Sequence, residues 1–454
     1  MRKLPSLQTI ALAVASGGAS GLAVHSPHFW AFGIIGLVGL MISWRCSASA
    51  RVALLAGWAG GFTYFATSLE FLLAGYHSIG MSGIQPVLGV SALYALLCIW
   101  WGPVFYVSHR IERWAGICGL IVLWFAAEML RAFVAPAIPP SFFGDFWAHT
   151  PIIQSVSVIG IEGLSLLTIL CAGLTCRDLG RKPLPIIPLV IFAGLWKVGA
   201  DVENSPRDHL TGPRVATINT NLPQDQRWDP AIVDSYMADL ATRSQTAWQN
   251  GADIVLWPEN ATPYFVEESE FIAAAYPPEG KFLIHGATMI ADDLTGEAFN
   301  GLAVTDSSGQ TVATYHKAYL FPFAEYMPFE AAVRRILGVG TIATPAIATG
   351  GYRHGEPLSE PLPLLGTGII PNICYEALVP IRTSAGDRTW ILNMANDAWW
   401  TGTSGGAYIA SASRVRAIER SVPMIRVSNA GPSFMVDGKG RDLAPGPDGF
   451  YRLP

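Results

Sequence analysis

Seven apolar runs crowd the first 200 residues of this chain, at about 6–24, 29–44, 52–75, 87–107, 114–131, 152–175 and 184–200. The hydrocarbon core of a bilayer is about 30 Å thick, which a helix of about 20 apolar residues crosses. Such a chain folds its first part as an all-α bundle, because lipid leaves the backbone no hydrogen-bond partners but its own. Composition agrees: 51% of residues are hydrophobic and only 14% are charged, outside the usual range of soluble globular proteins. Ionisable residues are sparse between Leu4 and Val198 and ordinary in frequency from Asp201 onward. Two domains are expected, a transmembrane helical domain over 1–200 and a polar domain over 212–454.

Positive charges in the connections set the orientation. Arg2 and Lys3 precede the first run, Arg45 and Arg51 follow the second, Arg110 and Arg113 the fourth, and Arg177, Arg181 and Lys182 the sixth. The links His25–His28, Tyr76–Gln85 and Ala132–Thr150 carry no Lys or Arg. The positive-inside rule then puts the N-terminus in the cytoplasm, and seven crossings deliver the polar domain to the extracytoplasmic side of a bacterial inner membrane. Reading the first run as a cleaved signal peptide leaves that side unchanged. Glu70, Glu128, Arg131 and Glu162 fall toward the outer ends of their runs. They either snorkel to the interface or form a local Glu128–Arg131 pair, or they line a cleft shared by the two halves. They do not string through the membrane, which disfavours a transporter.

With a net charge of −5 and no long basic run, the chain lacks a nucleic-acid surface. Five of its six cysteines, Cys46, Cys98, Cys118, Cys171 and Cys176, lie in or beside apolar stretches. Cys374 is alone in the polar half, so no disulfide can form there. The spacing offers no zinc pattern, and neither metal nor cofactor is expected.

From Arg214 the pattern changes to short strands alternating with helices, an α/β domain. Strands are predicted at Val215–Asn219, Asp253–Trp257, Gly368–Ile373 and Trp390–Met394, with a hairpin of Leu302–Asp306 and Thr311–Tyr315. Helices are predicted at Ala231–Asn250 and near Ile409–Arg420. Glu259, Lys317 and Cys374 each follow a predicted strand, where rigid elements present side chains to a ligand. Singly, each has an ordinary explanation: a solvated carboxylate in a turn, a solvated lysine, a core cysteine. Their order and their separations of 58 and 57 residues set the three apart.

The chemistry suited to this trio is acyl transfer through a thioester. A thiol with a reference pKa of about 8.5 is a poor nucleophile at neutral pH until a base takes its proton. Glu259 can be that base, and the Lys317 ammonium can stabilise the oxyanion. Glu325 can orient Lys317 or assist proton transfer to the leaving group.

These residues resemble a known family. Val255-Leu256-Trp257-Pro258-Glu259, His316-Lys317 with Leu320-Phe321-Pro322-Phe323-Ala324-Glu325-Tyr326-Met327-Pro328, Asn372-Ile373-Cys374-Tyr375-Glu376 and Asn396-Asp397-Ala398-Trp399 resemble the carbon–nitrogen hydrolase (nitrilase) superfamily. Within it the membrane-bound apolipoprotein N-acyltransferases are the most similar. Asn221-Leu222-Pro223-Gln224, Trp228-Asp229-Pro230, Ser26-Pro27-His28-Phe29-Trp30, Trp124 with Glu128-Met129-Leu130-Arg131, and the stretch from Gln154 to Ser165 add to the likeness. The resemblance implies an αββα sandwich behind the helical bundle and a triad of Glu259, Lys317 and Cys374. It also implies a phospholipid acyl donor and a membrane-associated amine acceptor.

The chain departs from the family pattern at Thr401–Tyr408 and Ser428–Pro432, which would shape the pockets. It also ends at Pro454 where the family carries one more membrane helix. A shortened chain of this kind also resembles the TraB proteins of plasmid conjugal transfer, which would make the conjugation machinery a partner. The alternatives are a membrane-anchored amidase or nitrilase, in which water resolves the thioester, and a non-enzymatic part of a conjugation or envelope assembly. A scaffold has no need of all three triad residues.

Overall fold

The computed structural model describes residues 3–25, 29–78, 82–133, 141–178, 186–207, 210–227, 229–262, 273–292, 297–322, 324–326, 335 and 352–454. Arg2, Ser26, Pro27, His28, Arg181, Lys182, Trp228, Phe323, Met327 and Pro328 lie outside the described residues. The chain divides into two compact units, one of Met1–His77 with Met81–Ser205 and another that contains Pro206–Pro454.

The first unit is helical: α1 (Ser6–Leu22), α2 (Trp30–Cys46), α3 (Ala50–Ser68), α4 (Leu72–His77), α5 (Ile84–Leu97), α6 (Trp101–Arg110), α7 (Glu112–Phe133), α8 (Val156–Asp178) and α9 (Ile186–Glu203). Where described, every apolar run of the sequence is thus helical, the third and fourth each broken into two helices and the fifth and sixth interrupted at Gly116 and Gly160. Among the described residues, three helical stretches are long and apolar enough to cross a membrane: Ile84–Arg110, Trp114–Phe133 and Pro151–Arg177. The count falls short of seven because α1 and α2 have 17 residues each, about 26 Å at 1.5 Å per residue, and α3, with 19, carries Arg51 and is rich in Gly, Ala and Thr. In turn, α9 carries Lys197, Asp201 and Glu203 near its end.

Small residues let these helices touch backbone to backbone. A Cβ on Gly17 of α1 would lie 2.0 Å from the Gly60 carbonyl oxygen of α3, and one on Gly36 of α2 would lie 2.4 Å from that of Ser16. Around them Tyr64, Trp101, Trp124 and Phe143 form a cluster, with Trp101 and Trp124 edge to face at 5.0 Å. Of the four ionisable residues, Glu128 and Arg131 are buried and form the local pair. Arg131 donates to Glu128 at 2.7 Å, Trp101 Nε1 donates to Glu128 at 2.9 Å, and Phe65 and Phe142 flank the guanidinium.

The second unit runs β1 (Arg214–Thr217), α10 (Pro230–Gln249), β2 (Ile254–Leu256), β3 (Phe282–Asp292), β4 (Glu297–Thr305), β5 (Thr311–His316), β6 (Leu362–Leu364), β7 (Thr367–Ile373), β8 (Thr389–Asn396), α11 (Gly405–Arg420), β9 (Met424–Asn429), β10 (Phe434–Val436), β11 (Asp442–Leu443) and β12 (Tyr451–Arg452). Among the described residues two six-stranded sheets form, ordered β12-β1-β2-β3-β4-β5 and β11-β10-β9-β8-β7-β6. The triplets β1-β2-β3 and β7-β8-β9 are parallel.

Alternation along the strands builds the layers. Ile254, Leu256, Ile284 and Leu302 of one sheet pack on Ile369, Trp390, Leu392 and Ile425 of the other. The opposite faces carry Val255, Trp257 and Leu283, which bury Val233, Met237 and Leu240 of α10, and Ile370, Ile391 and Met424, which bury Ala417 of α11. The order is therefore helix, sheet, sheet, helix, the sandwich that the resemblance implies. Strands buried on both faces read as near-continuous apolar runs, as β8 does, with all eight residues buried. Pro230 opens α10 and Asp229 caps it by accepting from the Ala231 amide at 2.9 Å.

Candidate active site

Chain ends of both sheets converge on one polar cluster. Glu259 follows β2 through Trp257-Pro258, Lys317 follows β5 directly, and Cys374 follows β7 directly. Glu259 and Lys317 are 5% and 1% exposed. Lys317 Nζ donates to Glu259 Oε1 at 3.2 Å and to the Glu325 carboxylate at 3.0 Å. Burying three charges is tolerable only with full hydrogen bonding, and the neighbours supply it. Asn300 Nδ2 donates to Glu259 at 2.8 Å and to Glu325 at 2.7 Å. The Asn396 amide donates to Glu259 Oε2 at 2.9 Å, and the Phe321 amide to Glu325 Oε2 at 2.6 Å.

Cys374 opens a short 3-10 turn over Cys374–Leu378 and holds a left-handed φ of 48°. A non-glycine residue there is strained, a condition that persists only where the surroundings over-determine it. Glu376 is the restraint. Its carboxylate accepts from the Ile373 amide at 2.7 Å, Ala318 at 2.8 Å, Tyr319 at 3.1 Å and the Tyr315 hydroxyl at 2.7 Å. One buried side chain thus ties the end of β7, with Cys374, to the segment after Lys317. Burial raises its pKa, and those donors and the Lys317 ammonium oppose the rise.

Electrostatics join the cysteine to the others. Burial pushes the Cys374 thiol well up and the Glu259 charge adds to it, while Lys317 opposes them. For Lys317 burial works against the ammonium, but Glu259, Glu325 and Cys374 outweigh it and hold its pKa well above the ordinary value. With two carboxylates facing one ammonium, the resting site holds a protonated thiol beside a charged lysine.

All four residues singled out in the sequence fall in this cluster: Glu259, Lys317 and Glu325 by direct hydrogen bonds, Cys374 by its coupling to each. Sequence reasoning missed Asn300, and saw Glu376 and Asn396 only as parts of motifs. Asn300 interrupts the apolar run Ala298-Phe299-Asn300-Gly301-Leu302; a buried amide in such a run needs partners, and that was the signal available.

A second buried network lies under α11. Arg426 donates to Asp397 at 2.7 Å with both side chains withdrawn from solvent, and Ser428 Oγ donates to the same carboxylate at 2.7 Å. Gly431 leaves the space this needs, since a Cβ there would stand 1.8 Å from Asp397 Oδ2. The departing segment Thr401–Tyr408 forms the turn into α11 and that helix's first residues.

Comparison with known proteins agrees over most of the chain. Residues 16–174 match the model of the apolipoprotein N-acyltransferase N-terminal domain, and residues 226–449 that of carbon-nitrogen hydrolase. The chain is 31% identical over 418 residues to an apolipoprotein N-acyltransferase of Brucella melitensis, covering 85% of this chain and 76% of that one. It is 28% identical over 473 residues to that of Rhodopseudomonas palustris, covering 95% and 86%. Among solved structures it is similar to an amidase from Nesterenkonia sp., at 16% identity and a TM-score of 0.36 over 55% of this chain and 90% of that one. These relatives lend no support to a conjugal-transfer role. The three apolar helices and the matched N-terminal domain make this a membrane protein. The chain belongs to the apolipoprotein N-acyltransferase family and is an enzyme of the nitrilase superfamily.

Proposed function

We propose that Cys374 takes an acyl chain from a phospholipid as a thioester and passes it to the amino group of a membrane-associated acceptor. The observation that carries this reading is the Lys317 ammonium held between Glu259 and Glu325 at 3.2 and 3.0 Å, in electrostatic contact with Cys374. Glu259 accepts the thiol proton as Sγ bonds to the ester carbonyl carbon. Lys317, with two of its three N–H groups engaged by carboxylates, directs the third to the developing oxyanion. The ester C–O bond then breaks and the lysolipid alcohol leaves with the proton from Glu259. In the second half the amine attacks the thioester, the C–N bond forms, the C–S bond breaks, and the amine proton returns through Glu259 to sulfur. Glu325 keeps Lys317 charged and aimed.

The membrane part of the proposal is a domain over about 1–200 with seven crossings and a catalytic domain over 212–454 on the periplasmic face of the inner membrane. The alternation of Arg and Lys in the connections supports it, as does the chemistry, since such lipid and lipoprotein substrates lie at that face.

The test is to incubate purified protein in detergent with a phospholipid labelled in its acyl chain and a peptide amine. Labelled amide, lost in Cys374→Ser, supports the transferase. Labelled free acid without amide, together with hydrolysis of small amides, would instead assign a hydrolase.

A further inference from the structure

Glu259 is held from the opposite sheet, and the hold runs through two asparagines. Its Oε1 faces Lys317 and Asn300, while its Oε2 accepts the Asn396 amide at 2.9 Å. Asn396 is the last residue of β8 and pairs in register with Asn429, the last residue of β9. Both are 3% exposed. Asn429 Nδ2 donates to Asn396 Oδ1 at 3.0 Å and to the Leu222 carbonyl at 2.9 Å. Asn429 Oδ1 accepts from the Leu222 amide at 2.8 Å and the Thr220 hydroxyl at 2.7 Å. The amide has two donors and two acceptor sites, and all four are used.

Asn429 therefore grips Leu222 by both its N–H and its C=O, as a neighbouring strand would. Asn221 between the gripped residues is left-handed, φ 51°, so the loop after β1 is folded around the Asn429 side chain. Asn396 Nδ2 adds a bond to Gln224 Oε1 at 2.9 Å. The two amides clasp the ends of β8 and β9 to the first sheet, at the point where the Asn396 N–H meets the Glu259 carboxylate.

We infer that Asn429 is a positioning residue: it fixes Asn396, and through the Asn396 N–H fixes the Glu259 carboxylate for proton transfer from Cys374. The inference rests on the reading of Glu259 as the base. A base must lie within hydrogen-bond reach of the proton it takes, and a displacement of about 1 Å can cost about 100-fold. Asn429→Asp keeps the shape and both accepted bonds but removes both donated ones, and sets a carboxylate against the Leu222 carbonyl.

The test uses the purified full chain and iodoacetamide at neutral pH, following alkylation of Cys374 by peptide mass spectrometry, with thermal unfolding in parallel. Asn429→Asp is expected to slow alkylation about ten-fold, Thr220→Val about three-fold, and Thr220→Ser to restore the rate. In a Glu259→Gln background, already slow, Asn429→Asp is expected to add nothing, because the group it positions is gone. If Asn429→Asp does not fold, the Thr220 pair and its combination with Glu259→Gln decide. Wild-type rates in the Asn429 and Thr220 variants, or slowing that multiplies with Glu259→Gln, would overturn the positioning role. A wild-type rate in Glu259→Gln itself would overturn the base assignment, and the inference with it.

Discussion

Lys317 Nζ stands 3.2 Å from Glu259 Oε1 with side chains 2% and 7% exposed, so an ammonium and a carboxylate share a site almost closed to water. Neither charge would persist there alone. Glu325 on the other side of the ammonium makes the cluster net negative, which keeps the lysine charged and the neighbouring thiol protonated.

Replacing Lys317 with Met leaves two carboxylates facing each other without a cation. Removing one oxyanion donor costs about 2.7–4 kcal/mol in the barrier, a slowing of about 100- to 1000-fold. Single-turnover acylation of Cys374 measures it. Breaking the buried ion cluster also lowers stability by about 3–5 kcal/mol, which denaturant unfolding records.

Glu376 accepts four hydrogen bonds and touches both Cys374-bearing and Lys317-bearing segments. Glu376→Gln has one acceptor oxygen and turns an NH2 toward donors. Stability is expected to fall by about 2–3 kcal/mol, and Cys374 to relax from its left-handed conformation. Loss of acylation greater than the loss of folded protein at the assay temperature distinguishes the second effect from the first.

His285 is fully buried in β3 beside Thr305 Oγ1, and burial lowers its pKa from 6.5 to about 4. The folded form thus binds fewer protons than the unfolded chain between those values. Its contribution to stability is present above pH 6.5 and is lost as pH falls toward about 4, a loss of about 3 kcal/mol. Urea unfolding at pH 7 and pH 4.5 should show a smaller acid-induced decrease in His285→Gln than in wild type.

Gly431→Ala would set a methyl 1.8 Å from Asp397 Oδ2. Either the chain at Gly431 moves or the Asp397–Arg426 pair opens, and the expected cost is about 2–4 kcal/mol. A lowered melting temperature in Gly431→Ala, with Gly386→Ala much milder because its Cβ would come no nearer than 3.6 Å to Thr389 Oγ1, checks it.

The sandwich was legible wherever burial imposed a period. Strands β2, β7 and β8 fall within a residue or two of their predicted limits because parallel strands covered on both faces read as short apolar runs bounded by turns. Strand β3 was missed: His285 and Gly286 interrupt its pattern, and only the packing of Gly286 against the Glu259 backbone explains them. Strand β9 was missed because Arg426, a charge in a buried strand, depends on Asp397 some thirty residues earlier. The candidate residues Glu259, Lys317 and Cys374 stood out by chemistry and by position after strands, and the structure brings them into one cluster. The donors to Glu259, Asn300 and Asn396, are ordinary residues whose partner comes from a distant segment, a pairing that periodicity does not encode.

The most direct measurement is the mass of the Cys374 peptide after brief exposure of purified protein to a phospholipid donor and acid quench. A hydroxylamine-sensitive acyl adduct on Cys374, absent from Cys374→Ser and strongly reduced in Glu259→Gln, is the expected result. A Cys374 that remains unmodified while acyl transfer proceeds, or an adduct that forms equally well in Glu259→Gln, would contradict the account.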